Sequence, residues 1–213
     1  MDVLEKYKNT WKNQPEETSK LNTSEIYNLA HSKSSSIVKW IFIIGIIEFI
    51  FWTGINLLIP DSFYKVYEDL DLMEFLNIFM VLHYIIIVVF LYLFYNNHQR
   101  VSLTDNTKKL MKNILRIRKT VKYYVFYNLA TVFLTSIVVN VILFSDSDKL
   151  METMNPKNLA MDINQIMTIT IISQVIALLI ILVLLWLFYK LVYGILLKKL
   201  NKNYKELAKL DSL

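Results

Sequence analysis

Four long runs of apolar residues dominate this chain: Trp40 to Ile59, Phe75 to Tyr95, Tyr123 to Phe144 and Ile163 to Tyr189. Among all of them Glu48 is the single charged residue. At 1.5 Å of rise per residue, a helix of ~20 residues crosses the ~30 Å hydrocarbon layer of a bilayer, so each run is long enough to span. The runs are continuous, whereas barrel strands alternate apolar and polar residues over about ten positions. A soluble bundle of four such helices would have no polar faces to turn to water. The expected fold is therefore all-α: a polytopic membrane protein, a four-transmembrane-helix bundle with cytoplasmic helical extensions and an N-terminal amphipathic segment. With 55% hydrophobic residues, disorder is excluded. No Cys, three Gly and three Pro leave no material for a disulfide framework, a thiolate metal site or a Gly-rich nucleotide loop.

Charge sets the expected orientation. Of 23 Lys and Arg, 20 fall before the first run, between Asn96 and Lys122, or from Lys190 onward. The other two connections hold Lys65, Lys149 and Lys157 against nine acidic residues from Asp61 to Glu74 and from Asp146 to Asp162. The positive-inside rule then puts both termini and the middle connection in the cytoplasm. Topology and contact with anionic headgroups account for the basicity, so membrane lipid is the expected partner and direct nucleic acid binding is not. The segment before Ile37 is long, polar and mixed in charge, unlike a cleaved signal peptide, and the first span is expected to remain. Trp40, Tyr92, Tyr95, Tyr123, Tyr124, Trp186 and Tyr189 mark the cytoplasmic ends of the spans and read as an interfacial aromatic belt. Pro60 and Asp61 stop the first span.

Outside the spans the chain still reads as helix. Residues 105–122, capped by Thr104 or Asp105, carry Leu110, Ile114, Ile117 and Val121 at helical spacing and run straight into the third span. Beyond the fourth span, Tyr193, Leu197, Leu200, Tyr204 and Leu207 form a second stripe. The two stripes can cover each other as an antiparallel stem, which their heptad-like spacing favours, or each can lie flat on the headgroups. Residues 1–36 form an attached N-terminal element, 37–197 the membrane domain and 198–213 the tail. Val3, Leu4, Tyr7 and Trp11 line one short helix ending before Pro15 and are the expected partner-docking edge. A second helix begins at an Asn22/Glu25 capping box, and Lys33 to Ser36 read as a hinge into the first span. Neither short helix holds itself up in water, so both need a surface to dock on.

Glu48 is the most informative residue. It lies eight residues beyond Trp40, ~12 Å inside the cytoplasmic edge along that helix, where a lone carboxylate is costly. Gly45, Glu48, Trp52 and Asn56 share the face expected to turn inward. Counted from the span ends, Thr131 is level with Glu48, Asn128 one turn nearer the cytoplasm and His83 nearer the outside. With Gln174, these complete an expected intramembrane polar cluster. It reads as a proton or cation site, or as protonated, neutral glue between helices, the second favoured because four helices rarely enclose a water path alone. Asn128, Thr131 and Thr135 on the third span, and Thr170, Ser173, Gln174 and Ala177 on the fourth, read as packing faces. No catalytic constellation, cofactor or metal site emerges. His83 is the one deep histidine, which excludes a bis-histidine haem, and Asp146 with Asp148 falls short of a metal motif.

The stretches Ser24-Glu-Ile-Tyr, His31-Ser-Lys-Ser-Ser-Ser-Ile-Val-Lys-Trp-Ile-Phe-Ile-Ile, Glu48-Phe and Arg118-Lys-Thr-Val-Lys-Tyr-Tyr resemble a family of uncharacterised four-span inner-membrane proteins of Bacteroidota, chiefly flavobacteria. The resemblance implies four spans and frequent encoding beside an alternative sigma factor, hence a regulatory or anti-sigma-like role with a sigma factor or other protein as partner. A carotene-cleaving oxygenase label carried by some members conflicts with the three His of this chain, since such an iron site takes four. The expected function is thus a non-enzymatic regulatory or adaptor subunit. The alternative is a small transporter or channel subunit using Glu48, which needs an oligomer to enclose a path.

Overall fold

A computed structural model describes residues 23–104, 106–145 and 162–211. Every regular element among them is helical: α1 (Thr23–Leu58), a 3-10 turn (Asp61–Phe63), α2 (Lys65–Asp69), α3 (Met73–Ser102), α4 (Thr107–Leu143) and α5 (Ile163–Asp211). The four long helices α1, α3, α4 and α5 are each long and apolar enough to cross a membrane. In the bundle α1 packs on α3 and α5, and α4 on the same two, so α1 and α4 stand on a diagonal. The side chains around the spans are apolar and outward, as at Ile50, Leu134 and Leu184, which suits lipid as solvent.

Each long helix extends beyond its expected span at the end that carries the α3–α4 connection. This stem end is where the core lies. Leu110, Ile114, Ile117 and Val121 of α4 and Tyr193, Leu200 and Leu207 of α5 are almost fully buried, in one cluster with Ala30, Val38 and Ile41 of α1 and Phe94 and Val101 of α3. The two stripes therefore cover each other, flanked by Leu197 and Tyr204. From Lys122 back to Thr107, and from Lys190 on to Asp211, the stem reaches ~22 Å and ~31 Å past the long apolar runs of α4 and α5.

The expected hinge at Lys33 to Ser36 is not there. α1 runs unbroken from Thr23 to Leu58, and the second N-terminal helix is its first turns. Serines are mediocre helix formers, but here tertiary contacts override propensity. Ala30 and Val38 are buried, and Ser34 accepts a 3.0 Å hydrogen bond from Asn203 Nδ2 of α5. Two further bonds tie α1 to the end of α3, whose last carbonyls have no helical partner. His31 Nε2 donates to the Val101 carbonyl at 2.8 Å, and Tyr27 Oη to that of Thr104 at 2.7 Å. The cap of α4 is Asn106, whose side chain accepts from the Lys108 and Lys109 amides at 2.9 and 3.3 Å. Thr104, expected as a cap, instead donates to the Arg100 carbonyl and accepts from Asn113 Nδ2.

At the opposite, loop end a small cluster of Leu70, Leu72 and Leu143 closes the bundle. Asp71 between the two leucines has φ 55°, a left-handed conformation that Asp tolerates and that turns the chain from α2 into α3. Val3, Leu4, Tyr7, Trp11, Asn22, Asp105 and the acidic stretch from Asp146 lie outside the described residues.

Candidate functional site

Register between α1 and α5 decides what Glu48 meets. The helices are antiparallel, and the Ser34–Asn203 bond fixes their alignment 14 residues, ~21 Å, below Glu48. The carboxylate consequently lands between Tyr189 and Tyr193, one turn apart on α5. Tyr189 Oη donates to Oε1 at 2.7 Å and Tyr193 Oη to Oε2 at 2.9 Å. Tyr124 of α4 stands against the same group, its ring edge-on to both phenols with centroids 6.1 and 5.8 Å away. All four residues are buried. One oxygen per phenol is the pattern for an acceptor-only carboxylate, which has lone pairs for both.

This corrects two sequence expectations. Tyr124 and Tyr189 do not belong to the outward aromatic belt, though Trp40, Tyr92, Tyr95, Tyr123 and Trp186 are exposed as a belt requires. The carboxylate also lies less deep than α1 alone implies. Lys190 falls between its two tyrosines on α5 and is exposed, its Nζ 4.4 Å from the Trp186 ring centroid, so Glu48 is level with the stem-side rim of the α5 span. The signal for the tyrosines was available. The α4 stripe continues by three residues from Val121 to Tyr124, and the α5 stripe by four from Tyr193 back to Tyr189.

None of the expected partners bonds to Glu48. Asn128 Nδ2 donates to the Tyr124 carbonyl at 2.8 Å, and Thr131 lends its carbonyl to the Thr135 hydroxyl. His83 Nδ1 pairs with Tyr127 Oη at 3.1 Å, the rings stacked at 5.6 Å and 15°. Yet Glu48, His83, Asn128 and Thr131 all line one cavity of 370 Å³, walled also by Asn56 and by aromatic and aliphatic side chains such as Trp52 and Ile87. That cavity shares Asn56, Met80, His83, Thr131, Val132 and Ile181 with a crevice of 780 Å³ that runs to Tyr64 and Tyr67 at the loop end. Gln174 and Ala177 line the crevice, and the Gln174 Oε1 is buried without a hydrogen-bond partner. Glu48, His83, Asn128 and Thr131 thus line one cavity, whereas Gln174 lines the adjoining crevice and not the space beside Glu48. Thr170 is buried beyond it and Ser173 is exposed.

On the stem side the cavity ends at Tyr124, Tyr189 and Phe94, below which the stem core is packed tight. Gly45 makes this closure possible: a Cβ there would stand 3.1 Å from Leu91 Cδ2 and 3.3 Å from Phe94 Cδ2, so α1 and α3 touch because it has none. Among the described residues no group of three His, Asp or Glu side chains could hold a metal ion.

A model of the family described as Domain of unknown function (DUF8845) matches residues 24–212. The chain belongs to that family. The match begins at the first turn of α1 and ends at the tail of α5, so the DUF8845 unit comprises the spans and the stem together. No curated protein and no solved structure matches the chain.

Proposed function

We propose that this DUF8845 member is a non-enzymatic regulator or adaptor, in which four spans anchor a helical stem that docks a protein partner. The observation that carries the reading is the placement of the core. Apart from Leu72 and Leu143 at the loop end, the most deeply buried side chains lie in the stem and at its junction with the spans, in helices that run unbroken from one to the other. Anchoring alone has no use for a stem ~22–31 Å long, and passage of a solute has no use for a packed plug beneath its binding group. The stem surface is suited to a partner of acidic character. Lys109, Lys112, Arg116 and Lys119 of α4 and Lys198, Lys199, Lys202 and Lys205 of α5 are exposed, as is the apolar Leu115 of α4. In this reading the stem is cytoplasmic, the membrane is the bacterial inner membrane, and the family resemblance nominates a sigma factor as the partner.

The competing reading, a transporter using Glu48, draws support from the crevice. Reconstitution into proteoliposomes separates the two. An adaptor gives no proton or cation flux that Glu48→Gln abolishes, and a flux lost in that variant with the melting temperature unchanged establishes the transporter.

A further inference from the structure

The cavity above Glu48 joins a buried carboxyl group to aromatic walls, and the docking role of the stem makes no use of it. We propose that it binds a small monovalent organic cation with an apolar body, such as a lipophilic ammonium or phosphonium. The charge rests against Glu48 and the body lies among Phe49, Trp52, Tyr84 and Ile87.

Charge is the first argument. Tyr189 and Tyr193 each occupy one lone pair, one per carboxylate oxygen, and Tyr124 bears on the same group, while a carboxylate offers about four acceptor positions. The remaining acceptor capacity belongs to a group that lines the cavity. No ion pair among the described residues reaches Glu48; the pair present there, Lys202 with Glu206 at 4.0 Å, is on the stem. A carboxyl group held away from water takes up either a proton or a countercharge, and the described residues bring Glu48 hydrogen bonds but no cation, so a bound cation would displace the proton.

The walls decide what kind of cation. The faces of Phe49, Trp52, Tyr84 and Tyr124 are electron-rich, and such faces attract a weakly hydrated organic cation within ~6 Å of a ring centroid. A hard metal ion asks for six or more oxygen ligands, which one carboxylate already holding two phenols does not provide. At 370 Å³ the cavity falls in the ~300–1,000 Å³ range of small-molecule sites. Entry is from the loop end through the crevice past His83 and Asn56, and exit at the stem end is closed by Tyr124 and Phe94. The cation is a ligand here, bound and released on one side.

The test is equilibrium binding of radiolabelled tetraphenylphosphonium to the full chain in phosphatidylcholine nanodiscs, with protein-free nanodiscs giving the lipid background. Saturable binding is expected, weakened at least tenfold in Glu48→Gln and competed poorly by neutral triphenylphosphine oxide. Ile181→Trp, which narrows the cavity without touching the carboxylate, is expected to weaken binding while the melting temperature holds. This second variant decides the matter if Glu48→Gln does not fold. Non-saturable uptake, equal binding by folded Glu48→Gln, or equal competition by the neutral compound would overturn the proposal, the last making the cavity a slot for lipid chains. Binding unchanged in Ile181→Trp would overturn it as well.

Discussion

Asn203 donates its side-chain amide to the Ser34 hydroxyl at 3.0 Å, both residues buried in the stem. This bond lies ~21 Å from Glu48 along α1 and sets the register that delivers the carboxylate to Tyr189 and Tyr193. Removing the amide leaves a buried hydroxyl without its donor and lets α1 slide on α5. Asn203→Ala is expected to cost about 1–2 kcal/mol, whereas Ser34→Ala with Asn203→Leu, which removes both polar groups, recovers most of it. A double-mutant cycle of denaturation free energies measures the coupling, and strict additivity would remove the bond from the account.

Glu48→Leu strands two buried phenols. It is expected to destabilise by about 2 kcal/mol, and adding Tyr189→Phe and Tyr193→Phe to it should restore much of the loss, because those two donors are then no longer left unpaired. Glu48→Gln keeps one acceptor oxygen and should cost less than Glu48→Leu. Thermal melts of the purified variants give the ranking, and a triple variant weaker than Glu48→Leu alone contradicts it.

Gly45 and Gly54 lie on the same helix with opposite surroundings. A side chain at 45 meets Leu91 and Phe94 within 3.1–3.3 Å, while nothing stands within 4 Å of a Cβ at 54. Gly45→Leu should part α1 from α3 and lower the melting temperature sharply, and Gly54→Leu should leave it near wild type. Equal effects would mean that the two helices are not in contact at Gly45.

Because the chain has no native Cys, topology can be read with single introduced thiols. With the stem inside, Glu68→Cys in the α1–α3 connection should react with an impermeant reagent applied to intact cells, after outer-membrane permeabilisation. Lys112→Cys should be protected until the cells are lysed. Labelling at 112 alone inverts the orientation.

The spans were legible because a run such as Phe75 to Tyr95 satisfies length and hydropathy by itself. The stem was legible because Leu110, Ile114, Ile117 and Val121 repeat with the helical period. Glu48 stood out because one charge in an apolar run has a price, and its partners did not, for two reasons. A tyrosine at a span end looks the same from sequence whether it faces headgroups, as Tyr123 does, or the bundle, as Tyr124 does. Depth counted along each helix also ignores stagger between helices, which here raises Tyr193, expected beyond the fourth span, to the level of Glu48. The hinge at Lys33 to Ser36 failed similarly: local propensity marks a weak point, and the buried contacts that fill it come from Asn203, far along the chain.

The docking role of the stem is tested most directly by photocrosslinking in intact membranes, with a photoreactive amino acid in place of the exposed Leu115, which lies on α4 between Lys112 and Lys119 in sequence. The account predicts a discrete adduct with a separate protein, lost when Lys112 and Lys119 are changed to Glu in the same chain. Adducts with lipid or with the chain's own helices alone, unaffected by those charge reversals, would contradict it.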